Sequence, residues 1–60
     1  MKPYPLDSIC VFSNPLFPHV YLRKVKIVED YEVEGRQWYN VELHDKSIMA
    51  VQEEELKLLN

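Results

Sequence analysis

The sequence holds one glycine, one cysteine and one tryptophan in 60 residues. A single glycine excludes nearly all glycine-rich loops that cradle phosphates or dinucleotides, because those loops need several residues without a Cβ. A single cysteine, Cys10, excludes an intramolecular disulfide. Small secreted domains usually carry several, so a reducing, cytoplasmic setting is expected. Cys10 lies in the apolar run Ile9-Cys10-Val11-Phe12 and is expected to act as a small buried hydrophobe. His19 and His44 stand far apart and complete no metal pattern with it, so neither a metal nor a cofactor is expected. No apolar run approaches the roughly 20 residues that span a bilayer, and nothing at the N-terminus resembles a signal peptide. No membrane partner is expected.

Hydrophobic residues make up 47% of the chain, too many for a disordered segment and enough for one folded domain over residues 1–60. A chain of this size buries only about 60% of the surface its unfolded form exposes. Its core is therefore thin, and support from a partner, a homo-oligomer included, is expected. Beginning at Met1 with no visible tag, it is expected to be a complete small gene product of accessory or phage type.

The formal charge of -3 conceals a division. Residues 1–28 carry Lys2, Arg23, Lys24 and Lys26 against Asp7 alone, whereas residues 29–60 carry nine acids against three bases. Such asymmetry marks either an interaction surface or two differently facing halves of one barrel.

Proline and glycine punctuate the chain. Pro3 and Pro5 hold Tyr4 extended, and Pro15 and Pro18 make residues 13–19 an irregular loop. Gly35 marks a hairpin turn that needs positive φ. Between these breaks the pattern is strand-like, over residues 6–12, 22–31, 36–44 and 47–52, with a short turn at Asp45-Lys46. Val25 and Ile27 oppose Lys24 and Lys26, while Tyr39, Val41 and Leu43 oppose Trp38, Asn40, Glu42 and His44, the period of a half-buried strand. Residues 52–59 are strong helix formers, but an isolated helix so short is marginal. A single turn at residues 53–55 and a closing strand over 56–59 is the favoured alternative.

Ser8-Ile9-Cys10-Val11 as first strand, Trp38-Tyr39-Asn40-Val41-Glu42-Leu43 as central strand, and Ala50-Val51-Gln52-Glu53-Glu54-Glu55-Leu56 as strand, turn and returning strand complete this order. In this order the chain resembles an SH3-like barrel of the KOW-like and Tudor-like kind. The resemblance implies an all-β, five-stranded barrel with a long first loop and one helical turn before the last strand. It also implies binding, of proline-rich peptides, modified tails, nucleic acid or another subunit. The first loop, Ser13-Asn14-Pro15-Leu16-Phe17-Pro18-His19, departs from the acidic and aromatic pattern of a proline-peptide groove.

Three functional readings follow. The leading one is a non-enzymatic protein-binding module contacting its partner through Phe17, Tyr21, Trp38, Glu42 and His44. Trp38, on the outer face of its strand, suits an interface anchor, unless Tyr4-Pro5-Leu6 folds over it as a lid. Phe17 and Tyr21 belong to an apolar stretch with Leu16, Val20 and Leu22 that either plugs the barrel end or stays exposed. The second reading is nucleic-acid binding through Tyr21, Arg23, Lys24 and Lys26. A pI near 5.2 weighs against it, and the lysines then read as a solvated strand edge that discourages aggregation. The third is a phage-type inhibitor docking its acidic half on a basic host site. The carboxylates at residues 29–34 and 53–55 lack calcium-loop spacing and otherwise read as solvated turns. No nucleophile, base and orienting group stand together in the pattern, so an enzyme is not expected.

Overall fold

Pro15 and Pro18 separate the first two of five strands, and Gly35 separates the second from the third. Turns without proline or glycine divide the rest in the computed structural model, which describes residues 4–59. The expectation for Pro3 lies outside them. The strands are β1 (Ile9–Phe12), β2 (Lys24–Val33), β3 (Arg36–Glu42), β4 (Ile48–Gln52) and β5 (Leu56–Leu58), with a 3-10 turn at Glu53–Glu55 before β5. All pairings are antiparallel, in the order β4-β3-β2-β1-β5. Among the described residues no helical layer covers this sheet, yet Cys10, Phe12, Ile27, Tyr39 and Val41 are fully buried. A single sheet achieves that only by curling around its own inner face.

The curl has a local cause in β2. Ile27 pairs with Val41 but Glu29 pairs with Asn40, so Val28 is an extra residue in a β-bulge. Val25, Ile27 and Glu29 share parity, and without the bulge Glu29 would follow Ile27 into the core. The inserted residue resets the alternation, bends the strand and sends Glu29, Tyr31 and Val33 outward. The β2–β3 hairpin closes on Glu34 and Gly35, both at positive φ (51° and 79°), as a tight two-residue loop requires.

The long first loop is tied by its own turns. Phe17 N–H donates to the Asn14 carbonyl, Val20 N–H to the Phe17 carbonyl and Arg23 N–H to the Val20 carbonyl. These turns drive Val20 into the core at 1% exposure, while Leu16 stays 83% exposed. Phe17 takes an intermediate course, packing edge-on to Phe12 at 5.9 Å with part of its ring in solvent. The plug expected of this loop is thus essentially Val20.

Several boundaries shift. The first strand begins at Ile9, because Asp7 takes positive φ in a turn. The second begins at Lys24 and runs on to Val33. The third ends at Glu42, where Lys46 N–H donates to the Leu43 carbonyl to close the next turn. The C-terminus adopts the turn and strand despite its helical propensity. Pairing with β1 and burial of Leu56 outweigh a helix too short to sustain itself.

Two expectations are overturned. Lys24 and Lys26 lie on β2, hydrogen-bonded on both sides, so they are outer-face residues of an interior strand and not an edge. Tyr4 does not cover Trp38; it stacks on Tyr39, at the inner face of β3. Among the described residues, no helix is long and apolar enough to cross a membrane.

Candidate functional site

Strand alternation places Ile9 on the outer face of β1, opposite Lys26, and Lys26 is in turn opposite Glu42 on β3. This row is one wall of a shallow groove of about 580 Å³ that crosses the sheet beside the β3–β4 turn. Its apolar lining comes from Ile9 and Leu59, with Leu43 partly buried against the core; Val25 also borders it, but its side chain belongs to the core at 2% exposure. Leu59 is brought there when its N–H donates to the Ile9 carbonyl at 3.0 Å, extending the β1–β5 pairing. The polar lining is Lys24, Lys26, Lys46 and His44 and, among the described residues, Glu42 as its one acidic side chain.

Among the described residues, the groove lysines make one ion pair. Lys26 Nζ lies 3.8 Å from Asp7 Oδ1, an exposed pair of little energetic weight. The turn carrying His44 and Lys46 is held by Asp45, whose carboxylate accepts from both the N–H and the hydroxyl of Ser47. Those bonds hold the Asp45 carboxyl below its usual range. Lys46 takes a positive φ of 73°, which completes the turn.

The groove joins residues from two readings that the sequence keeps apart. Lys24 and Lys26 come from the nucleic-acid set, Glu42 and His44 from the protein-binding set. Tyr21, Arg23, Phe17 and Trp38 do not line it. Tyr21 stays exposed in the first loop, and half-buried Trp38 lies on the outer face between Tyr31 and Gln52, toward the other end of β3. The sequence alone does not mark Ile9, Leu59 or Lys46: the β1–β2 register sets Ile9 opposite Lys26, the bond to Ile9 brings in Leu59, and the turn after β3 brings in Lys46.

The acidic turn at Glu53–Glu55 is partly engaged internally. Glu53 Oε2 accepts from the Tyr39 hydroxyl at 2.9 Å, and Glu55 accepts from Asn14 Nδ2 at 2.6 Å and from Gln52 N–H at 2.8 Å. Ser13 adds its N–H and hydroxyl to the Glu55 carbonyl, which fastens the first loop to this turn. Only Glu54 of the three glutamates is exposed, so the solvated-turn reading fails for Glu53 and Glu55. Cys10 is buried and its thiol is pushed up by that burial, the state of an inert structural cysteine. Among the described residues, no three His, Cys, Asp or Glu side chains form a metal-binding group.

No protein-family model, curated protein or solved structure matches the chain. The functional reading therefore rests on the groove itself.

Proposed function

We propose that this chain is a non-enzymatic protein-binding module of SH3-like architecture, and that its groove receives a short, extended, acidic and partly apolar segment of a partner protein. The observation that carries this reading is the lining: apolar Ile9, Leu43 and Leu59 flanked by three lysines and, among the described residues, Glu42 as its one acidic side chain. Apolar contacts supply affinity in such a site, and the cations select and steer an anionic partner. A long polyanion fits less well. The aromatics that would stack on bases lie outside the groove, and the chain as a whole is acidic.

Fluorescence anisotropy tests this with a labelled peptide of alternating Asp and Leu, a Lys/Leu counterpart and a single-stranded oligonucleotide. The acidic peptide binds, binding weakens with salt, and the joint change Lys24→Glu and Lys26→Glu lowers affinity at least tenfold. Trp38→Ala leaves it unchanged. Stronger binding of the oligonucleotide would favour the nucleic-acid reading, and equal binding of both peptides would remove the role of charge.

A further inference from the structure

The two edges of the sheet are built differently. β5 is three residues long and has Lys57 at its centre, two features that natural sheets use to discourage further pairing. β4 is five residues long, Ile48-Met49-Ala50-Val51-Gln52, with no charge, no proline and an unbroken register against β3. Among the described residues, neither a charge, a proline nor a bulge protects this edge.

The backbone groups on that edge follow from one hydrogen bond. Leu43 N–H donates to the Ser47 carbonyl at 2.8 Å. Antiparallel alternation then aims the Ser47 carbonyl and the backbone groups of Met49 and Val51 at β3 and turns those of Ile48 and Ala50 to the free edge. The same alternation turns Gln52 N–H outward, where Glu55 already satisfies it. Ile48 is 55% exposed and Ala50 is also exposed, so the edge presents an apolar surface beside its free N–H and C=O groups.

We propose that β4 pairs antiparallel with β4 of a second copy of this chain, about a two-fold axis at Met49. Ile48 then faces Ala50 of the second copy, and the two exchange N–H···O=C bonds; the axis repeats the exchange with the roles reversed. Met49 meets its own counterpart, and the two curled sheets become continuous. A second copy is favoured as the occupant because the outward backbone groups of Ile48 and Ala50 are self-complementary about Met49 and the uncharged strand meets itself without repulsion. Beyond the strand this register sets Lys46 opposite Gln52, and Asp45 opposite Glu53, two carboxylates each already hydrogen-bonded within its own chain. The contact is closed and self-complementary, as in most homodimers. It is also small, so association depends on concentration.

Sedimentation velocity on the full chain, from about 10 µM to about 1 mM, tests the proposal together with NMR amide exchange over the same range. The mass rises from 7.2 kDa toward twice that value, and exchange at Ile48 and Ala50 slows at least tenfold while exposed loop amides are unaffected. Ala50→Pro removes an edge N–H that β3 does not use and abolishes association. Ile48→Lys, a surface change that circular dichroism checks for folding, weakens it at least tenfold. A monomer at the highest concentration would overturn the proposal. So would a dimer that survives Ile48→Lys, or one whose Ile48 and Ala50 amides exchange as fast as in the monomer.

Discussion

Tyr4 stacks on Tyr39 with ring centroids 5.6 Å apart and planes 18° from parallel, and Tyr4 N–H donates to the Tyr39 hydroxyl at 2.9 Å. The hydroxyl in turn donates to Glu53. One buried phenol thus ties the N-terminal segment, the central strand and the 3-10 turn together. In a chain this short, such long-range ties compensate for a thin core.

Alkaline stability tests that tie. Burial, opposed by the hydrogen bond from Tyr4 N–H and reinforced by the Glu53 carboxylate, pushes Tyr39 up to about 12. An unfolded tyrosine ionises near 10. The folded state therefore favours the neutral phenol, and its contribution is fully present below about pH 10 and is lost as pH rises toward 12. The loss is on the order of 2 kcal/mol. Urea unfolding at stepped pH shows this decline in the native chain and a flatter profile in Tyr39→Phe. An equally steep decline in the variant would contradict it.

Two substitutions at positive φ have opposite effects. Leu22 is held at φ 62° with its side chain 62% exposed, so Leu22→Gly relieves backbone strain and raises stability by about 1 kcal/mol. Gly35, at φ 79° with open space where a Cβ would stand, loses about 1 kcal/mol on change to Ala from backbone strain alone. Thermal melts of both variants give the signs directly.

The first loop is anchored at one end by Val20 and at the other by Glu55. Val20→Ala costs about 1 to 3 kcal/mol, whereas Leu16→Ala stays within about 0.5 kcal/mol. Glu55→Ala removes the acceptor of Asn14 and of Gln52 N–H and costs about 1 to 3 kcal/mol; Glu54→Ala is neutral. Denaturant midpoints of the four variants rank them, and equal effects within either pair would contradict the assignment.

The strands were readable because their inner faces have period 2. Val25 and Ile27, and Tyr39 and Val41, are buried as that alternation requires. The single turn and closing strand were readable only through what the preceding strands need, since local propensity in residues 52–59 points to a helix. The bulge at Val28 was not readable: it leaves no glycine or proline, and its effect appears only when β3 fixes the register. Strand order was equally hidden, which is why Lys24 and Lys26 resemble an edge in sequence although they stand in the interior of the sheet. The groove needs β1, β2, β3 and the residue after β5 side by side, a non-local arrangement that residue spacing does not encode.

Chemical-shift mapping tests the central claim, that this groove is the binding surface. The isotope-labelled full chain is titrated with the Asp/Leu peptide at low salt and amide shifts are followed residue by residue. The shifts are expected at Ile9, Lys24, Lys26, Glu42, His44 and Leu59 and fade as salt is added. Shifts centred on Trp38 or the Phe17–Tyr21 loop, with the groove unmoved, would contradict the account.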